Sequence, residues 1–130
     1  MTDWDVVTLD RIAQITTGKT NSIDACDDGG YPLFDRSQII KKSNKYLFDN
    51  EAVIVPGEGK EFIPRYFKGK FDLHQRAYAI IPNNKEVHGK FLYYAMLHGN
   101  DHFARIAVGS TVKSLRLNSF QTFSLRLPTY

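Results

Sequence analysis

The sequence predicts a single domain of mixed α and β structure, with its strands concentrated in the middle of the chain. The 130 residues are 42% hydrophobic and 13% aromatic, which suits one compact domain with a core of its own. Short apolar and aromatic runs bounded by Gly, Pro and Asn indicate strands, and longer stretches with apolar residues on one helical face indicate helices. Neither an internal repeat nor a Pro-, Gly- and Ser-rich linker divides the chain. We therefore expect residues 1–130 to form one domain.

The first element is predicted as a short helix within residues 6–15. Thr8 can cap its first turn, and Gly18 marks the point by which it has ended. A polar loop follows over residues 19–30, and its closing Asp-Asp-Gly-Gly run is typical of a turn.

The middle of the chain is predicted to be mostly β structure. Its runs are rich in Tyr, Phe, Ile and Val, which suit a pleated, partly buried surface. Gly69, between two lysines, predicts a turn between the strands at residues 64–67 and 77–81. The predicted strands cover residues 31–34, 39–40, 52–55, 64–67 and 77–81, of which residues 52–55 have the apolar pattern of a buried strand.

The last third of the chain returns to helical patterns. Residues 88–97 place apolar side chains on one face, and Gly99 is a suitable helix stop. A shorter helical stretch is predicted over residues 101–107. The alternating segment 123–128 predicts a final strand.

Composition disfavours a membrane or secreted protein. No apolar run approaches the roughly 20 residues of a membrane-spanning helix, and the acidic N-terminus is unlike a signal peptide. Cys26 is the single cysteine, so no internal disulfide can form. We therefore expect a soluble, unexported protein of the cytoplasm.

The net charge of +3 is unevenly distributed along the chain. Residues 1–30 hold six acidic and two basic side chains, a balance of −4, so the remainder carries +7. After Asp101 there are four basic residues and no acidic one. This asymmetry favours a polyanionic partner for the later part of the chain, while lysines and arginines also serve simply to solvate a surface.

Residue types used in catalysis are present but assemble no recognisable active site. Cys26 lies among aspartates, whose charges disfavour a reactive thiolate. His98 and His102 have the i, i+4 spacing of metal ligands, but the glycine between them breaks the helix that would align them, so two surface histidines are the simpler interpretation. Residues 57–60 lack the spacing of a phosphate-binding Walker loop, and an adenine-methyltransferase tetrapeptide is absent. We predict no catalysis, metal or cofactor.

Polar loops between the strands suit a binding surface better. Arg and Gln match the edges of guanine and adenine in the major groove, whereas Lys, Ser, Thr and backbone N–H groups commonly hold phosphates. Structural roles remain open for each position. Arg36 can pair with Asp35 or Asp72. Gln75 can cap a turn, and Tyr66 can simply pack. The loop groups are residues 19–21, 36–38, 58–60, 65–66 and 74–76.

A small-polar loop with a lysine precedes the last predicted strand. Residues 109–111, Gly-Ser-Thr, and Lys113 bring amide N–H groups, two hydroxyls and a positive charge to one spot. That combination can grip a phosphate, and it is also ordinary turn chemistry.

Seven segments occur in an order that is typical of one family. They are residues 4–12, 18–20, 31–34, 52–59, 71–78, 109–115 and 123–128. In this order they resemble a target-recognition domain from the specificity subunit of type I restriction-modification enzymes. The resemblance covers nearly the whole chain.

The resemblance implies an α+β fold with a twisted, mostly antiparallel sheet and peripheral short helices. In that family a specificity subunit holds two such domains separated by long helices, and each domain reads one half of a bipartite sequence in double-stranded DNA. The helices dock modification subunits, which methylate adenine with S-adenosylmethionine, and a restriction subunit cleaves distant DNA. All chemistry then lies in the partner subunits, and this chain itself would need no cofactor.

The chain departs from the family pattern at Tyr130, where the family continues with a helical spacer and a second domain. We expect either an excised domain or a protein that uses the module alone. A half-site module without the spacer is expected to bind DNA weakly, mainly through salt-sensitive phosphate contacts.

The resemblance places the loops between strands against the major groove. An alternative is a protein-interaction or inhibitory module that binds a restriction-modification subunit instead of DNA, for which the acidic first 30 residues are the best support. A hydrolytic enzyme rests only on the presence of Cys and His. The expected DNA contacts are Lys19, Thr20, Arg36, Lys60, Arg65, His74, Gln75 and Arg76, with Ser110, Thr111 and Lys113 as phosphate contacts or structural residues.

Overall fold

The fold is built around one six-stranded sheet flanked by short helices. The structure is a computed structural model, and it describes residues 4–21, 25–26, 28–35, 39–59, 62–83, 88–99, 103, 105 and 113–128. In chain order the elements are β1 (Trp4–Thr8), α1 (Leu9–Ile12), β2 (Ala13–Thr17), β3 (Tyr31–Phe34), β4 (Lys41–Ser43), β5 (Phe48–Pro56), β6 (Glu58–Gly59), β7 (Arg65–Leu73), β8 (Ala77–Pro82), α2 (Gly89–His98), β9 (Lys113–Ser114), α3 (Leu117–Gln121) and β10 (Ser124–Pro128).

The main sheet has the strand order β2-β8-β5-β7-β3-β4. Its pairs are antiparallel except for β3 and β7, which run parallel. Two small antiparallel ribbons complete the β structure: β1 with β10, and β6 with β9. The fold predicted from the resemblance, a mostly antiparallel sheet with short helices, is confirmed.

The main sheet curls so that strands distant in its order meet. Strands β8 and β5 lie between β2 and β7, yet the N–H groups of Lys19 and Thr20, just after β2, both donate to the carbonyl oxygen of Leu73 at 3.1 Å. Thr20 and His74 also form an isolated parallel bridge. Because a flat sheet would hold these segments three strand spacings apart, the curl creates a junction between residues 18–21 and the end of β7.

Strand β5 is buried on both faces and separates two apolar clusters. Val53 and Val55 belong to the larger cluster, which includes buried residues of α1, α2 and α3. Ala52 and Ile54 belong to the smaller cluster, which is rich in phenylalanine. This alternation follows the two-residue period of a strand. It explains why the apolar run at 52–55 correctly predicted a buried strand.

Three local predictions were wrong in whole or in part. The short helix predicted within residues 6–15 is confirmed only as the single turn α1, with Thr8 at its N-cap position and with Leu9 and Ile12 buried, because the residues on either side form strands that pair with β10 and β8. The Thr8 hydroxyl donates to the Asp10 carboxylate at 2.6 Å and makes no capping bond to the backbone. Residues 39–40 precede β4 and do not form a strand.

The predicted turn at Gly69 was also wrong. Gly69, at φ 141°, lies within the continuous strand β7 and pairs with Asn50. A turn follows the end of β7 instead, at residues 74–76. Glycine supplied a positive-φ backbone inside a strand here, which sequence alone does not distinguish from a turn.

The other predicted elements agree with the structure. Strands 31–34 and 77–81 match β3 and β8, helix 88–97 matches α2 with Gly99 as its C-cap, and the final strand matches β10. Of residues 101–107, the structure describes Phe103 and Arg105, both helical. Among the described residues, no helix has the length and hydropathy to cross a membrane.

Candidate nucleic-acid interface

The tight turn His74-Gln75-Arg76 joins β7 to β8 and projects polar side chains from the sheet. The Ala77 N–H donates to the His74 carbonyl oxygen at 3.0 Å, which closes the turn. The Arg76 N–H donates to His74 Nδ1 at 3.0 Å, so a neutral imidazole carries its proton on Nε2. Gln75 and Arg76 are exposed and His74 is half-buried. The turn thus displays a guanidinium and an amide on a fixed backbone.

Residues 18–21 lie directly against this turn. The Gln75 N–H donates to the Thr20 carbonyl oxygen at 3.0 Å, and the His74 N–H donates to the Phe34 carbonyl oxygen at 2.9 Å. A Cβ atom at Gly18 would meet the Leu73 carbonyl oxygen at 1.9 Å, a distance no side chain tolerates. Glycine at position 18 therefore permits the close backbone approach.

A buried carboxylate fixes the same junction from below. Asp72 is 1% exposed, and its Oδ1 accepts from the Thr20 hydroxyl at 2.8 Å and from the Leu73 N–H at 3.0 Å. Its Oδ2 accepts from the Ser43 hydroxyl at 2.8 Å. A buried carboxylate is costly unless hydrogen-bonded, so these three donors offset the burial. Asp72 thereby ties the loop after β2, the strand β4 and the end of β7 together.

The side chains of Gln75 and Asn21 form a pair across the junction. Gln75 Nε2 donates to Asn21 Oδ1 at 2.6 Å, and both residues are exposed. Their positions in sequence are far apart, and the curl of the sheet brings them together. Lys19 is exposed beside them.

The β6–β9 ribbon borders the turn on another side. Gly59 pairs with Lys113 and Glu58 with Ser114. The Leu115 N–H donates to the Gly57 carbonyl oxygen at 2.6 Å, and a Cβ atom at Gly57 would meet the Arg76 carbonyl oxygen at 2.0 Å. The main chains of ribbon and turn are therefore in contact. We call residues 19–21, 74–76, 57–59 and 113–114 together the recognition surface.

Arg65 begins β7 and is separated from β8 by the strand β5. Ile54 of β5 pairs with Arg65 on one side and with Ala79 of β8 on the other, which separates Arg65 from Ala79 by two strand spacings, about 10 Å. The neighbouring Tyr66 hydroxyl donates to Glu51 Oε2. That bond, with burial and the negative charge of Glu51, raises the pKa of Tyr66 to about 12. Tyr66 thus has a structural partner, one of the roles that sequence left open.

The structure brings several predicted contact residues together. Lys19, His74, Gln75 and Arg76 share the recognition surface, and Lys113 contributes its main chain. Thr20 differs from the prediction, because its side chain is 2% exposed and its hydroxyl is bound to Asp72, so it holds the loop from inside. Predicted contacts outside the described residues are Arg36, Lys60, Ser110 and Thr111.

The aspartates and the cysteine considered in the sequence are engaged in local contacts. Asp35 forms an ion pair with Lys41 at 2.6 Å, and Asp72 is occupied by hydroxyl donors. The Cys26 thiol donates to Asp28 at 2.6 Å, a bond that lowers the pKa of the Asp28 carboxyl. Within the described parts of the chain, no three His, Cys, Asp or Glu side chains cluster as metal ligands. His102 is outside those parts.

Two structurally important residues were not among the predicted contacts. The sequence places Asn21 in a polar loop and indicates Asp72 only as a possible partner of Arg36. Both act through contacts with residues about 50 positions away in the chain. A single sequence contains no local signal for such pairing.

The whole chain matches a known family. A family model described as the type I restriction modification DNA specificity domain matches residues 1–130. The type I restriction enzyme EcoDI specificity subunit of Escherichia coli is 34% identical over 128 residues, which are 98% of this chain and 28% of that protein.

Solved structures show the same fold. The S subunit of a type I restriction-modification system from M. genitalium has a TM-score of 0.84 at 18% identity, covering 98% of this chain and 35% of that chain. The HsdS subunit from Thermoanaerobacter tengcongensis has a TM-score of 0.67 at 12% identity, and the match covers 96% of this chain and 33% of that chain. This chain thus spans about a third of the length of the relatives it matches.

Proposed function

Because this chain belongs to the family of type I restriction modification DNA specificity domains, we propose that it reads one half of a bipartite DNA sequence through the recognition surface defined above. The family match over all 130 residues is the observation that supports this proposal most strongly. The family is a non-catalytic one, so recognition and not chemistry is the task of this chain.

The chemistry of the recognition surface suits duplex DNA. Arg76 and Gln75 are exposed on one tight turn, and their side chains match the hydrogen-bonding edges of guanine and adenine. Lys19 stands beside them with a charge suited to a phosphate. In this arrangement the turn enters the major groove, and its neighbours contact the backbone on either side.

We assign the contacts to DNA phosphates to the β6–β9 ribbon. Its β9 strand contains Lys113, and its β6 strand is followed directly in sequence by Lys60. Lysines at these two positions give both segments of the sequence a positive charge. Phosphate contacts of this kind position a protein on DNA without reading sequence.

The partners of the full system follow as part of the same proposal. Within a longer specificity subunit, this domain directs an adenine-methyltransferase subunit and a restriction subunit to DNA. A further structural relative, with a TM-score of 0.70, comes from work on complex assembly of the type I R-M system. In this proposal the domain determines which DNA sequence is bound, and the partner subunits carry out methylation and cleavage.

Salt-dependent binding to duplex DNA tests the proposal. The purified chain is titrated with a pool of randomised duplexes at increasing salt, and bound duplexes are sequenced. We expect binding that weakens as salt rises, because lysines and arginines displace counterions from phosphates. We also expect enrichment of one half-site. Absence of any enriched sequence would contradict sequence recognition by this chain.

A triple variant locates the binding surface. Alanine at Arg65, Gln75 and Arg76 together should abolish enrichment, since it removes the base-reading side chains. The matched control replaces the exposed Arg11, Gln14 and Arg105 by alanine and should leave enrichment unchanged. Circular dichroism confirms that each variant is folded. Equal enrichment by both variants would place the interface elsewhere.

A further inference from the structure

From the amide pair at the junction, we propose that Asn21 is a positioning residue that presents Gln75 to an adenine in an A·T base pair. This inference rests on the proposed DNA recognition and deepens it by assigning one position of the half-site. Asn21 does not itself need to touch the base. Its role is to hold the amide of Gln75 in the orientation that reads adenine.

The backbones of the two residues are held in fixed relation. Thr20 and His74 form a bridge, and the Gln75 N–H donates to the Thr20 carbonyl oxygen at 3.0 Å. Thr20 is held in turn by its buried hydroxyl bond to Asp72. Asn21 and Gln75 each follow a bridged residue directly. Their side chains therefore start from adjacent, well-ordered backbone positions.

The hydrogen bond between the side chains leaves one N–H and the oxygen of the Gln75 amide available. A glutamine amide has two N–H donors and one acceptor oxygen. The 2.6 Å bond to Asn21 Oδ1 uses one N–H. The second N–H and Oε1 form the donor and acceptor pair that matches N7 and the N6 amino group of adenine. A fixed amide also loses less rotamer freedom on binding than a mobile one.

The pairing also gives the amide a direction. A free glutamine amide can rotate and exchange its donor and acceptor ends, which weakens discrimination between bases. In the structure Asn21 Oδ1 accepts the bond, so the NH₂ end of Gln75 lies on that side. The acceptor end then lies on the other side. Fixed polarity favours adenine, whose major-groove edge has one acceptor and one donor in a set order.

Selection from randomised duplexes, carried out with the present chain and its variants, tests the assignment. The wild type should enrich a half-site with an A·T pair at one position. Gln75→Ala should lower the preference at that position about tenfold and leave the other positions unchanged. Asn21→Ala should lower the same preference by several-fold, because Gln75 remains but can rotate. A wild type that enriches no sequence overturns the proposed function together with this inference.

A conservative variant separates positioning from structural support. Asn21→Asp keeps the acceptor for Gln75 and adds a negative charge, so it should keep the A·T preference while overall affinity falls. Loss of the preference in Asn21→Asp would overturn the inference. So would a half-site in which neither Gln75→Ala nor Asn21→Ala changes any position, although DNA recognition by the chain would then stand.

Matched control residues lie near the ends of β2 and β8 that are remote from the turn at residues 74–76. Gln14 and Asn83 are exposed, and Gln14 pairs with Ile81 at the end of β8 remote from the turn. Gln14→Ala and Asn83→Ala remove the same side chains and should leave every position of the half-site unchanged. A change at the A·T position in these controls would contradict a local role for Asn21.

Discussion

The turn at residues 74–76 and the β6–β9 ribbon belong to one surface but are held very differently. The turn and its neighbours are fixed by main-chain bonds to the sheet and by the buried carboxylate of Asp72. The ribbon has strands of two residues each and joins the body through Gly57, Leu115 and the Tyr78 hydroxyl. Base reading requires side chains placed to within a fraction of an ångström, whereas a phosphate contact tolerates movement. We therefore expect sequence preference to depend on the turn and general affinity on the ribbon.

The largest effect is expected when the junction itself is forced apart. Gly18→Ala places a Cβ atom 1.9 Å from the Leu73 carbonyl oxygen, and that backbone cannot move without losing its bonds to Lys19 and Thr20. We expect the free energy of unfolding to fall by about 3 kcal/mol, measured by urea denaturation. Gly30→Ala is the control, since nothing lies within 4 Å of its added Cβ. Equal stability of the two variants would contradict the close approach.

Removing the buried carboxylate should have the next largest effect. Asp72→Ala leaves two hydroxyls and the Leu73 N–H without their acceptor. We expect a loss of about 2 kcal/mol in the free energy of unfolding, together with loss of sequence preference in DNA binding. Asp49→Ala, at an exposed position on β5, should change neither quantity. If Asp72→Ala lowers stability but leaves the preferred sequence intact, the turn does not depend on this support.

Single substitutions in the two regions should separate preference from affinity. Arg76→Ala in the turn should reduce discrimination between the preferred and a scrambled duplex by about 1–3 kcal/mol. Lys113→Ala in the ribbon should weaken binding to both duplexes alike and reduce the magnitude of the salt slope by about 1. Fluorescence anisotropy titrations at several salt concentrations measure both. A changed preferred sequence in Lys113→Ala would contradict the division between the regions.

The smallest effect on stability is expected from the hydrogen-bonded pair of Glu51 and Tyr66, which links β5 to β7. The hydrogen bond to Glu51 raises the pKa of Tyr66 from 10.0 to about 12, so the folded state holds this proton more tightly than the unfolded chain. The pair's contribution to stability is therefore complete below about pH 10 and is lost as the pH rises towards 12. Tyr66→Phe should remove one late-titrating tyrosine from an ultraviolet titration. Tyr94→Phe, at an exposed position, should leave that late component in place.

Much of the sheet could be predicted from sequence because its strands have local signals. The buried strand at 52–55 and the helix ending at Gly99 follow from apolar pattern and helix-stop chemistry. The segment at 6–15 has a helical pattern, yet pairing with β10 and β8 outweighs that preference. Propensity is a weak prior that tertiary contacts routinely override.

The recognition surface could be predicted only in part. The polar residues of the 74–76 turn were identifiable because Arg and Gln have a known chemistry toward base edges. The contacts of Asn21 and Asp72 could not be predicted, since each depends on the curl of the sheet. The buried state of Thr20 has the same cause. Residue types indicate which side chains are suited to contact DNA. Which of them are buried and support the loops instead is known only from the fold.

The pairing of β1 with β10 has a consequence for how such a domain is attached to other protein segments. Trp4 and Pro128 are partners in that ribbon, so the two ends of the described chain lie about one strand spacing apart, roughly 5 Å. A unit whose two ends meet can be inserted between neighbouring parts of a host chain without forcing them apart. The closeness of the two ends therefore allows such a unit to be joined to other protein segments at one place.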